Sequence, residues 1–428
     1  MRLYKMELYK ICSKKLFICS AIAALTIIIL YAGIFVVGAE TTINGVKYTG
    51  LEAVKMDRKI TEEWKGVLTD EKVAQIVERY GFPSGVSENY NYFLDRNFLN
   101  NFVMREFSDG YFHGRDDYHV ATRVYPIAET KLGKASEASG KPIVLEYGYG
   151  WQVFNIVLEI SCMVGIPFVL FALSPIFSEE NYINMRQILF TTKEGKTRAV
   201  TAKIMAGITV AAGAYAVILT LNFVFVWSVF GLDGGECLYQ WVMEDYVRTW
   251  NNYHNISTMY IRDFIWMAAV FCFIGIIEAA SIILYFSAHC NSPFQSVIIS
   301  ALCLAAPVCV STVWRGNFNS IMFIASQLSD VLLLGIAFTS FVPDISGRAG
   351  RAALKSLCCI LPLSVGIYFR RNFPFYNTIP FMLVLTEGYS DIDIYLSRYP
   401  GIRVMIVLFA AFSSAAFIVC SHKKYKSL

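Results

Sequence analysis

The chain has 428 residues, of which 56% are hydrophobic and 16% charged, with a formal net charge of +4. Its mean hydropathy is +0.48. Soluble domains carry about 25% charged residues, so this composition places the chain in a membrane, and so small a net charge gives no reason to expect nucleic acid as a partner.

Crossing a bilayer as a helix takes about 20 consecutive apolar residues. The first such run is LFICSAIAALTIIILYAGIFVV, residues 16–37. Val37-Gly38-Ala39 resembles a leader cleavage site, but the apolar stretch of a leader spans only about 7–15 residues. An uncleaved anchor within residues 1–38 is the expectation.

Residues 39–150 have the composition of an ordinary soluble domain. In LTDEKVAQIVERYG, Thr69 is placed to cap a helix, Asp70 and Glu71 suit its first turn, and Gly81 its end. Val73, Ile76, Val77 and Tyr80 share one face at helical spacing. NYFLDRNFLNNFVMREF, residues 91–107, predicts a second helix grouping Phe98, Leu99, Phe102 and Val103. A small, mostly helical domain follows. Its His113, Asp116, Asp117 and His119 are metal-ligand types, but the Gly-Arg-Asp-Asp turn between them reads as a solvated loop, and no metal or other cofactor is expected.

Further runs occupy 151–173, 204–231, 264–288, 294–314 and 402–420, giving six spans in an all-α polytopic protein. Residues 315–428 hold two more apolar stretches, 321–342 and about 353–369, so eight spans are the alternative. Lysine and arginine gather before the first span (Arg2, Lys5, Lys10, Lys14, Lys15), in the loop 174–203 (Arg186, Lys193, Lys196, Arg198, Lys203) and after the last (Lys423, Lys424, Lys426). By the positive-inside rule these segments, with both termini, are cytoplasmic. The acidic loop 232–263 is outside, with 39–150.

Ten of the eleven cysteines, Cys12, Cys19, Cys162, Cys272, Cys290, Cys303, Cys309, Cys358, Cys359 and Cys420, lie in or beside apolar segments; only Cys237 sits in a polar loop. There is no CxxC pair. Neither a disulfide scaffold nor a zinc ribbon is expected.

Gly195-Lys196-Thr197 imitates the end of a phosphate-binding loop. Such a loop needs a glycine five positions before Gly195, and Phe190 stands there. No buried strand leads in. ATP binding by this chain is therefore not expected, and no catalytic motif appears.

The stretch SPIFSEENYINMRQILFTTKEGKTRAVTAKIMAG, residues 174–207, has a more specific pattern. Phe177 leads into an expected amphipathic helix, 178–190, with Glu180 near its start, in which Tyr182, Ile183, Met185 and Leu189 oppose Glu179, Glu180 and Arg186. Ile188-Leu189, Thr191-Thr192, Arg198 and Lys203 follow in order. This arrangement resembles the loop between the second and third spans of bacterial ABC-2 type permeases. The opening MELYKICSKKLF, with Glu7, Lys10, Lys14 and Lys15, is similar to that family's leading segment. WKGVLTDEKVAQIVERY resembles its long-loop members from low-GC Gram-positive bacteria. Thr191-Thr192 departs from the family's usual Thr-Pro or Leu-Pro turn.

The resemblance implies the permease subunit of an ABC exporter in the bacterial plasma membrane. Its partners would be a separate ATPase subunit and a second permease copy, identical or related. Phe177, Glu179, Glu180, Arg186 and Leu189 would couple it to the ATPase. Glu159 and Glu278 lie inside spans, where carboxylates are costly and mark function by default. They are candidates for the transport path or for helix pairing, Glu159 also for snorkelling towards the near surface. A membrane sensor or scaffold whose outer domain binds a ligand is the alternative, and a membrane enzyme a third.

Overall fold

The computed structural model describes residues 2–81, 96–114, 117–119, 121–192, 194–238, 259–313, 335–337, 339, 352–357, 360 and 400–427. The chain is mostly helical. Among the described residues, four helical segments are long and apolar enough to cross a membrane: Lys15–Val37, Tyr149–Tyr182, Arg198–Val229 and Ile261–His289. All four coincide with runs expected from hydropathy. The runs 294–314 and 402–420 also form helices, Pro293–Val313 and Pro400–Ser427. The stretches 321–342 and 353–369 lie almost wholly outside the described residues.

The chain opens with α1 (Arg2–Cys12), turns at Ser13 and Lys14, and enters α2 (Lys15–Val37). After the domain described below come α7 (Tyr149–Leu173), α8 (Pro175–Tyr182), α9 (Met185–Thr191), α10 (Arg198–Val229), α11 (Ile261–His289), α12 (Pro293–Val313) and α13 (Pro400–Ser427). Helices α7 and α11 form the centre. The first packs against α2, α10 and α11, the second against α10, α12 and α13. Their apolar residues are accordingly buried most of the way round, whereas α2 leaves Ile22, Ile29, Leu30 and Ile34 exposed. A helix that is apolar all round needs either protein or lipid on every face.

Pro175 separates α7 from α8 and has no backbone N–H to continue the ladder. Ser287 of α11 stitches the break. Its hydroxyl donates to the Ser174 carbonyl at 2.7 Å and accepts from the Phe177 amide at 3.1 Å. The backbone groups displaced by the proline thus find partners inside an apolar bundle, where an unmet one costs about 1–3 kcal/mol.

The described residues between 39 and 148 form a cap over one end of the bundle. The expected helix appears as α4 (Asp70–Tyr80), with the Thr69 hydroxyl accepting from Lys72 N and Gly81 at φ 66° beyond its end. The second is shorter than expected. Residues 91–95 lie outside the described set, and α5 runs Phe98–Phe107 behind a reciprocal Asn97–Asn100 capping box. The cap also holds helices α3 (Leu51–Glu63) and α6 (Lys131–Ser139) and a 3-10 turn at Ile127–Glu129.

The cap is less purely helical than its sequence suggests. Three antiparallel two-stranded pairs support it: β1 (Glu40–Ile43) with β2 (Val46–Thr49), β3 (Gly66–Val67) with β6 (Val144–Leu145), and β4 (Tyr111–Gly114) with β5 (Asp117–His119). Of the four metal-ligand types noted above, His113, Asp117 and His119 fall on the last pair. Asp116 is outside the described residues.

The cap is fastened to the bundle. Arg58 of α3 pairs with Asp233 at 2.6 Å, just past the end of α10. Lys141 sits over the Tyr260 ring at 3.8 Å. Cys237, expected in a polar loop, is instead fully buried, and its thiol donates to the Val144 carbonyl at 3.2 Å. Close approach dictates two glycines here: a Cβ on Gly150 would stand 2.0 Å from the Gly231 carbonyl oxygen, and Gly231 itself has φ 75°.

Candidate functional site: an ionic junction at the far end of the bundle

At the end of the bundle away from the cap, four elements distant in sequence converge on one carboxylate. Glu180 of α8 is buried, as is Lys203 in the second turn of α10. They form a direct ion pair. Lys10 of α1 reaches the same carboxylate oxygen, Oε1, at 3.0 Å. The other oxygen, Oε2, accepts from the Tyr425 hydroxyl of α13 at 2.7 Å. Glu7 of α1 stands 3.9 Å from Lys203 and balances the second ammonium. Beside this group Lys14 pairs with Glu179.

Taking two charges out of water is expensive, and geometry plus further hydrogen bonds must offset the cost. Both oxygens of Glu180 are met by charged or phenolic donors, which makes such a pair tenable. Lys10 shows the balance: burial pulls its ammonium towards neutrality, but attraction and hydrogen bonding to Glu180 outweigh this and hold it above the usual lysine range.

An aromatic collar encloses the junction. Tyr425 is buried against Phe177, ring centroids 4.6 Å apart, and Phe190, 5.6 Å apart. The Arg186 guanidinium lies over both Tyr425 (5.0 Å) and Phe190 (5.2 Å) and donates to Asn181 Oδ1 at 3.3 Å. Lys196 lies 5.7 Å from the Phe190 ring. Phe190, which occupies the position a phosphate loop would give to glycine, is thus a wall of the collar, and Lys196 faces an aromatic ring.

The structure corrects the expected helix 178–190. Two short helices, α8 and α9, replace it, joined through Ile183 and Asn184, the latter at φ 55°. Asn tolerates this left-handed conformation better than most residues. The predicted faces are also redistributed. Glu180 is buried, while Tyr182 (67% exposed), Ile183, Met185 and Ile188 (65%) point outward together around the elbow. Ion pairing draws the carboxylate in and leaves these apolar side chains outside. Leu189 is half-buried.

The junction therefore gathers Phe177, Glu179, Glu180 and Arg186, four of the five residues expected to couple. It adds Lys10, Lys203 and Tyr425 as direct partners. Lys10 and Lys203 were visible in the sequence as basic residues of the right segments. Tyr425 was not singled out, and only its place in a basic tail hinted at it.

Glu278 and Glu159 lie elsewhere. Glu278 of α11 is fully buried and accepts from the Ser413 hydroxyl of α13, so it joins two helices. Glu159 of α7 does not snorkel. It is buried in the bundle, where Asn155 one turn earlier donates to it at 2.8 Å.

Fold and junction together define a mostly helical protein whose apolar segments suit a membrane, with one end capped by a domain and the other tied by buried charges. No protein-family model, curated protein or solved structure matches the chain.

Proposed function

We propose that this chain is the permease subunit of an ABC exporter, with α2, α7, α10, α11, α12 and α13 as six spans and the cap outside a bacterial plasma membrane. ATP would be hydrolysed by a separate subunit, and a second permease copy would complete the transport path. The observation that supports this reading best is the elbow α8–α9. It presents Tyr182, Ile183, Met185 and Ile188 to the exterior, while Glu180 bolts its base to Lys203 at the foot of α10. A partner seated on those apolar side chains has a stiff connection to a helix of 32 residues. A push on the elbow tilts α10, and through Tyr425 it also reaches α13.

The orientation follows from the basic residues of α1, of the segment 186–203 and of the tail 423–426. An impermeant maleimide should label Val46→Cys on intact cells and Gln187→Cys only after permeabilisation, on a background without native cysteines. The reverse pattern would invert the proposal. Inside-out vesicles carrying the chain together with its ATPase should accumulate substrate dyes or peptides only with ATP. Accumulation without ATP, or a chain that purifies without any ABC ATPase, would favour a different class.

A further inference from the structure

Within the bundle, about 10 Å from the capped end by helical rise, three buried polar side chains lie where α7 packs on α10. Asn155 and Glu159 are one turn apart on α7, and Asn222 of α10 contacts the α7 backbone beside Asn155. They are 4%, 5% and 2% exposed. The Asn155 amide nitrogen donates to Glu159 Oε1 at 2.8 Å. The Asn222 amide nitrogen donates to the Phe154 carbonyl, next to Asn155 in the chain, at 2.8 Å. With both amides so oriented, Asn155 Oδ1 and Asn222 Oδ1 are buried, and among the described residues no donor reaches either.

Trp151 Nε1 and Ser161 Oγ of α7 are buried donors that meet no acceptor among the described residues, and two other groups of these helices are engaged elsewhere. The Tyr215 hydroxyl of α10 donates to the Ala269 carbonyl, and Cys162 of α7 shares a hydrogen bond with Cys272 of α11. A buried acceptor left unmet costs about 1–3 kcal/mol; here there are two, one of them on the amide that donates to the Glu159 carboxylate. A proton on Glu159 would neutralise the carboxylate and supply one O–H donor, which meets at most one of the two amide oxygens. A hard monovalent cation serves all of them: oxygen ligands suit it, and its single charge equals that of one carboxylate.

We propose that Glu159, Asn155 and Asn222 form a binding site for a sodium ion between α7 and α10. The site is independent of the transport reading, because binding requires neither ATP nor a partner.

The test uses the full-length chain in nanodiscs, in choline buffer at constant ionic strength, with ²²Na⁺ as the probe. Saturable binding near one ion per chain is expected, with a rise in Tm on adding NaCl. Glu159→Gln and Asn222→Ala should each weaken binding at least tenfold, while Ser413→Ala should leave it unchanged. Should either variant fail to fold, the wild-type titration still decides. No saturable ²²Na⁺ binding by the wild type would overturn the site, leaving the amide oxygens to buried water. A Tm that responds to acid but not to sodium would make Glu159 a proton site only and overturn it equally. Binding that survives both variants would place the ion elsewhere.

Discussion

The Tyr425 hydroxyl donates to Glu180 Oε2 at 2.7 Å across 245 positions of sequence. Through this contact the last described helix meets the short helix that leads into the elbow. Tyr425→Phe keeps the ring against Phe177 and Phe190 but removes the donor. A hydrogen bond to a charged group is worth about 1.5–3 kcal/mol, so the variant should unfold at lower denaturant by that amount. Glu180→Ala or Lys203→Ala each strands a buried charge and should cost about 3–5 kcal/mol. The double variant should cost less than the sum, because the two share one interaction. Denaturant unfolding of the purified chain checks all four. Additivity between Glu180 and Lys203 would mean that the ion pair does not form.

This arithmetic changes which variants report on coupling. Glu180→Lys, an obvious choice from sequence, reverses a buried charge facing Lys203 and Lys10 and tests stability first. Ile188 and Tyr182 are exposed on the outside of the elbow, so they are the cleaner probes.

The cap also holds a half-buried carboxylate of interest. Asp57 of α3 accepts from Thr41 Oγ1 at 2.8 Å and from the Phe98 amide at the start of α5 at 3.1 Å. Burial outweighs these hydrogen bonds and raises its carboxyl to about 6 from the ordinary 3.8. Between those values the folded state binds more protons than the unfolded, so stability falls as pH rises from about 4 to 6, by about 3 kcal/mol for a shift of this size. Hydrogen exchange of helix 98–107, corrected for intrinsic rates, should therefore show greater protection at pH 4.5 than at pH 7.5. Asp57→Asn should flatten that difference. Equal protection of the wild type at both values would contradict the assignment.

Lys196 should have no role in nucleotide binding. It faces the Phe190 ring, and the glycine that a phosphate loop requires is that same phenylalanine. The isolated chain should not bind a fluorescent ATP analogue, and Lys196→Ala should leave the ATPase rate of a reconstituted complex within about twofold of wild type. A larger loss would give the Gly-Lys-Thr tripeptide a catalytic part.

Long apolar helices and capped ends were legible in the sequence because each is written locally. Residues 16–37 need only their own composition, and α4 needs only Thr69, its spaced apolar residues and Gly81. The strand pairs were not legible. Gly66-Val67 and Val144-Leu145 are too short for an alternating pattern and find each other across the whole cap. Burial of Glu180 was equally hidden, since Lys10 is 170 positions away and Tyr425 is 245. In isolation, Glu179 and Glu180 read as one polar face. The elbow had a local clue in Asn184, a residue type suited to positive φ, but the amphipathic spacing around it argued for an unbroken helix.

The proposed seat for an ATPase on the elbow is tested most directly by the affinity of the purified chain in nanodiscs for a candidate ABC ATPase, compared between wild type and Ile188→Asp. Burying an aliphatic side chain of this size contributes about 1.5–3 kcal/mol. The variant should therefore bind at least tenfold more weakly while unfolding at the same denaturant concentration as wild type, because Ile188 lies outside the ionic junction. Undiminished affinity in the Ile188→Asp protein would contradict the account and leave the elbow as a membrane-surface feature without a partner.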